Sequence, residues 1–142
     1  MRWPFSGKEK PMEFSLKPGM KATVTQTVTD QDTAVRFGSG DVQVFATPMM
    51  IALMEKAALT AVDPHLPGGY ATVGTTVEVA HLAATPVGMT VTATAELLEV
   101  SGKKLKFRIE AFDDKDKIGE GTHGRYIIQT ERFLEATREK AR

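Results

Sequence analysis

The segment TPMMIALMEKAALTAV, residues 47–62, constrains this chain more than any other. Thr47 suits an N-cap and Pro48 a first helical position, two independent signals for a helix start. Only Glu55, Lys56 and Thr60 interrupt an otherwise apolar composition, so the helix is expected inside the fold, with other elements wrapped about it. DPHLPGG at 63–69 ends it with two prolines and two glycines. Four strand-like runs follow, at 71–84, 88–100, 103–112 and 117–130, rich in β-branched residues and alternating in polarity. Turn residues separate them (Pro86 with Gly88, Ser101 with Gly102, Asp113 to Asp116), which predicts antiparallel hairpins between consecutive strands.

Ahead of the helix, Met20 to Thr29 reads as a first strand, with Ala22, Val24 and Val28 at even spacing. Residues 30–43 read as a loop in which GSGD at 38–41 is a mobile stretch able to serve as a lid. ERFLEATREKAR closes the chain as a charged helix. The expected fold class is α+β, an antiparallel five-stranded sheet wrapped around a long central helix, with a C-terminal helix. Residues 1–19, with three prolines and no clear period, are expected as an irregular N-terminal arm, and 20–142 as a single domain.

Composition removes several function classes. Lys and Arg total 18 against 18 Asp and Glu, so no net basic field favours nucleic acid. The absence of cysteine excludes disulfide scaffolds, thiolate zinc sites and cysteine nucleophiles. The first ten residues, MRWPFSGKEK, lack the apolar core of a secretory signal, and the uncharged run from Val42 to Met54 is short for a membrane span. A soluble cytoplasmic protein is the expectation, with neither nucleic acid nor membrane as partner.

Three reactive side chains stand in apolar settings: Thr47 at the helix start, Glu55 inside the helix and His81 in the second strand run. Simple alternation puts Val73, Thr75, Val77, Val79, His81 and Ala83 on one face, toward the core or the helix, and Glu78 on the other. Each group also has an ordinary structural explanation. A core histidine can have its hydrogen bonds met, Glu55 can share a solvated stripe with Lys56, and capping accounts for Thr47 in full. Eight helical residues place Thr47 and Glu55 about 12 Å apart along the axis. Joint action therefore needs a substrate spanning them or a second subunit, with the site at a two-fold interface. The helix N-terminus, with free N–H groups and a positive dipole end, suits an oxyanion and points to acyl chemistry.

The stretches VFATPMMIALMEKAA, VGTTVEVAHLAATPVGMTVTATAEL and IGEGTHGRYIIQTERF resemble the hot-dog thioesterases related to fluoroacetyl-CoA thioesterase, over roughly residues 20–135. The runs FAT, LME, HLAATP with its following glycine, and GEGTHGR are specific in combination. The resemblance implies a hot-dog fold, a catalytic group of Thr47, Glu55 and His81, and a substrate region that includes Gly74 and Arg125. His123 shares the strand face of Arg125, and the two stand as either an exposed polar pair or a grip on acyl-CoA. Where the fluoroacetyl enzyme has phenylalanines just upstream of FAT, this chain has Gly38 and Asp41. That difference argues against fluoroacetyl specificity while leaving thioester hydrolysis intact.

The activity implied is hydrolysis of a small acyl-CoA by a homodimer without cofactor. Glu55 would attack the carbonyl or activate water, His81 would act as acid and base, and Thr47 would assist. Backbone N–H groups near Gly74 or the helix start would hold the oxyanion. A hot-dog hydratase or dehydratase and a non-catalytic acyl-binding module use the same residue types and remain the alternatives. His65, His81 and His123 are too scattered to suggest a metal site, and no GxSxG, GxGxxG or P-loop motif is present.

Overall fold

The structure, a computed structural model, describes residues 14–142. Residues 14–20 carry no helix or strand; the rest of the expected N-terminal arm lies outside the described residues. Strand β1 (Lys21–Thr27) leads into a 3-10 turn at Asp30–Asp32 and a short helix α1 (Ala34–Phe37). The central helix α2 (Thr47–Val62) follows, then β2 (Tyr70–His81), β3 (Thr90–Ser101), β4 (Lys104–Phe112), β5 (Lys117–Gln129) and the terminal helix α3 (Thr130–Glu139). The segment expected as a loop at 30–43 is thus partly helical. Asp32 closes a capping box on Thr29, and Thr33 caps α1, which ends at Gly38 with φ of 90°.

All five strands form one antiparallel sheet in the order β1-β3-β4-β5-β2. The expected hairpins β3-β4 and β4-β5 are present. The Pro86–Gly88 turn does not make a hairpin: β2 pairs with β5 at one edge and β3 with β1 near the other, so the chain crosses over between them. The sheet curls around α2 as a hot-dog fold.

The core lies between them. Met50, Leu53, Met54, Ala57, Ala58, Ala61 and Val62 of α2 are buried at three- and four-residue spacing. They pack with Val91, Ala93, Ala95 and Leu97 of β3, and Phe107 and Ile109 of β4. Each fully buried Met, Leu, Ile or Phe stabilises the fold by about 1.5–3 kcal/mol. Burial on all sides of α2 is not found. Ala52, Lys56 and Thr60 are exposed, and Ile51, Glu55 and Leu59 are half-buried, so one apolar flank of the helix is open in the single chain.

In β2 the alternation breaks. Gly74 pairs with Arg125 and Thr76 with Gly124, leaving Thr75 as an extra, bulged residue. Thr72 and Gly74 before the bulge share the sheet face of Ile127 and Arg125, and Val77, Val79 and His81 after it share that of His123, Gly121 and Gly119. The simple alternation expected for this strand is therefore wrong at Val73 and Thr75. His81 and Gly74 both face inward, although seven residues apart.

Candidate active site

Thr47 does not cap its helix. The N-cap is Ala46, in extended conformation and without a side-chain cap, so Thr47 is the first residue of the helix. Its Oγ1 lies 2.7 Å from Nδ1 of His81. Met49 and Met50 both donate to the Ala46 carbonyl and Pro48 has no N–H, so the first turn leaves only the Thr47 amide without an intrahelical acceptor. That amide and the Thr47 hydroxyl stand together at the positive end of a helix of 16 residues.

His81 reaches Thr47 from the last residue of β2. Its Nε2 is buried and finds no partner among the described residues, a situation that usually costs about 1–3 kcal/mol. Burial lowers its pKa, favouring neutral imidazole at physiological pH. A hollow of about 400 Å³ opens beside the pair, lined by Ala34, Ser39, Phe45 and Leu82 among others. The 38–41 stretch thus reaches this hollow through Ser39.

A second cluster sits at the other end of β2. Glu55, 39% exposed, has its Oε2 at 3.8 Å from Nη1 of Arg125. Gly74 lies against both, since a Cβ there would stand 2.7 Å from Glu55 Oε2, 3.1 Å from His123 Cε1 and 3.4 Å from Arg125 Nη1. The glycine keeps space for the carboxylate. His123 and Arg125 are buried, at 1% and 5% exposure, so the reading of an exposed polar pair is overturned. Arg125 donates from Nη1 to Nε2 of His123 at 3.1 Å. Arginine has only donors, so His123 accepts at Nε2 and carries its proton on Nδ1, which donates to the Thr76 carbonyl at 2.7 Å. Burial is the main cause of its lowered pKa, with Arg125 acting in the same direction and the Thr76 bond and Glu55 opposing.

The six expected residues thus fall into two groups, Thr47 with His81 and Glu55 with Gly74, His123 and Arg125. About 12 Å of helix and roughly 20 Å of strand separate the groups within one chain. Two residues that sequence reasoning missed hold the second group together. Thr72 accepts from Arg125 Nε through Oγ1 at 2.7 Å and from Nη2 through its carbonyl at 2.9 Å. Asp63 in turn accepts from the Thr72 hydroxyl at 2.6 Å. A threonine in a β-branched strand and an aspartate in a helix-ending loop give no sign of such a bond in sequence. Among the described residues, no three His, Asp or Glu side chains gather as a metal site.

The family model described as fluoroacetyl-CoA-specific thioesterase, FlK, matches residues 28–131. The chain belongs to this family of hot-dog acyl-CoA thioesterases. It is 48% identical over 98 residues to the fluoroacetyl-CoA thioesterase of Streptantibioticus cattleyicolor, a match covering 69% of this chain and 70% of that one. A solved structure of fluoroacetyl-CoA thioesterase FlK superposes with a TM-score of 0.84 at 39% identity, covering 89% of this chain and 98% of that chain. A variant of that enzyme solved in complex with fluoroacetate and CoA gives a TM-score of 0.78 at 40% identity, covering 83% and 99%. The central helix and five strands of this thioesterase therefore have solved counterparts along almost their whole length.

Proposed function

We propose that this thioesterase hydrolyses a small acyl-CoA without specificity for fluoroacetyl-CoA, in the cytoplasm, as a homodimer with its sites at the subunit interface. The observation that carries the reading is the bond between Thr47 Oγ1 and His81 Nδ1, which engages a helix-start hydroxyl with an imidazole instead of with its own helix. Glu55 attacks the thioester carbonyl or deprotonates the attacking water. His81 moves the proton, Thr47 orients it, and the Thr47 amide is placed for a developing oxyanion. The thiol of CoA then departs protonated; where Glu55 itself attacks, water cleaves the resulting mixed anhydride, releasing the acid and restoring the carboxylate.

Two features support the interface. β2 is an edge strand, and Thr75 to Glu78 at its middle are exposed. A two-fold axis near Val77 and Glu78 would pair the edge with its copy and bring Gly74 of one protomer toward the partner's His81, joining the two separated groups. The open flank of α2 at Ile51, Ala52 and Leu59 offers the second surface such a pairing needs. Gly38 and Asp41 are both exposed and supply no aromatic wall beside the hollow, which supports a site without specificity for fluoroacetyl-CoA. No helix among the described residues is long and apolar enough to cross a membrane.

The test is thiol release across a panel of short, branched and aromatic acyl-CoAs, fluoroacetyl-CoA included. Turnover of at least one small acyl-CoA is expected, falling by at least about 100-fold in Glu55→Gln and in His81→Ala with the fold intact. Saturable binding without thiol release by the parent protein, or an active Glu55→Gln variant, would overturn the reading.

A further inference from the structure

We propose that Asp63 and Thr72 are positioning residues for Glu55, acting through Arg125. The proposal rests on Glu55 being the reacting carboxylate. Arg125 is held on three sides: Nε and Nη2 both donate to Thr72, and Nη1 donates to His123. A planar guanidinium so held cannot rotate away, and its Nη1 is also the atom nearest Glu55 Oε2, at 3.8 Å. Arginine supplies rigid donors in a planar fork, and this arrangement uses three of its nitrogens, where lysine would offer one mobile ammonium.

Thr72 is the centre of the strut. Its hydroxyl accepts from Arg125 and donates to Asp63 Oδ1, and its amide reaches Asp63 Oδ2 at 3.3 Å. The hydroxyl is therefore oriented by Asp63 with its lone pair toward the guanidinium, and a buried hydroxyl bonded on both sides has no alternative orientation. Asp63 also adds a second negative charge near Arg125, opposing the lowering of its pKa by burial. Asp63 sits just after α2, and Glu55 lies two turns earlier on the same helix. The strut thus ties the end of α2 to β2 and β5, and returns through Arg125 to the carboxylate of α2 itself.

The geometry gives Glu55 a fixed cationic neighbour on one side and the Gly74 backbone on the other, while its exposed portion stays open to substrate. Loosening the strut moves the carboxylate without removing it. Misplacement of a reacting group lowers turnover more than affinity.

The test compares Thr72→Val, which keeps the shape and loses the hydroxyl, with Thr72→Ser, which keeps the hydroxyl. Each is assayed as the full chain with the best acyl-CoA of the panel. Thr72→Val is expected to lower kcat roughly tenfold with KM changed less than about twofold, and Thr72→Ser to retain at least about half of parental kcat. Should Thr72→Val not fold, Asp63→Asn decides, with a kcat loss of about threefold or more at unchanged KM. Parental kcat in the deciding variant, equal losses in Thr72→Val and Thr72→Ser, or a change confined to KM would overturn the proposal. Glu55→Gln, assayed in parallel, separates the two failures. An active Glu55→Gln removes the premise, whereas an inactive Glu55→Gln beside an unaffected Thr72→Val removes the strut alone.

Discussion

Gly74 shows how little separates a working site from an obstructed one. Its backbone needs no left-handed conformation, so the glycine is required for the space that a methyl group would take, chiefly from Glu55 and also from His123. The nearest atom is the end of a flexible side chain, which can swing aside, while the buried His123 ring at 3.1 Å need give by only a few tenths of an ångström. Gly74→Ala is therefore expected to lower kcat by about tenfold or more while its melting temperature stays within a few degrees of the parent's, measured by thiol release and thermal denaturation. Thr47 supplies a complementary case. Because its side chain does not cap α2, Thr47→Val should leave helix stability within about 0.5 kcal/mol of the parent, where losing a true cap costs about 1 kcal/mol. Turnover should nonetheless fall by about 10-fold or more, and Thr47→Ser should restore most of it. The pair of measurements separates a hydroxyl used by its helix from one used by an imidazole. The sequence made Thr47, Glu55 and His81 visible as chemistry, and the family resemblance added their roles and pointed to Gly74, Arg125 and His123. Neither disclosed that the Thr47 hydroxyl points to His81 or that Arg125 is buried, because both follow from strands brought alongside by tertiary contacts.

At the scale of elements, the bulge in β2 does what alternation cannot. Seven residues separate Gly74 from His81, an odd interval that in a regular strand would turn the two to opposite faces. The extra residue at Thr75 restores a common face. Deleting Thr75 is expected to turn either the Thr72–Gly74 half or the Val77–His81 half outward, abolishing thiol release and lowering the melting temperature by several degrees. Thr75→Ala, which keeps the residue count, should retain activity and most of the stability. A deletion variant with parental activity would refute this account of the bulge. The helix, the five strands and the terminal helix were legible in the sequence because periodicity and turn residues are local properties. The crossover from β2 to β3 and the bulge were not, since both depend on which strand accepts β2 as its neighbour. The short helix at Ala34–Phe37 escaped notice for a different reason: four residues are too few to establish a period.

For the molecule as a whole, two buried or half-buried imidazoles connect stability to pH. Burial lowers the pKa of both His81 and His123 below the ordinary value of about 6.5. Between the ordinary and the lowered value, the unfolded chain binds more protons than the folded one, so stability rises with pH and is lost as pH falls through 6.5 and below. The melting temperature is expected to drop between pH 7.5 and pH 5.5. His123→Gln, less stable than the parent at pH 7.5, should show a smaller drop over the same interval. A parental melting temperature constant across that range would contradict the assignment of both histidines as neutral in the fold.

The long free margin of β2 also bears on how the chain survives its own synthesis. Left uncovered, an edge strand presents a row of backbone groups that any extended peptide can template upon, the route by which sheet proteins clump. Glu78, exposed near the middle of that margin, acts as a gatekeeper: its charge discourages the indefinite stacking that an apolar residue there would invite.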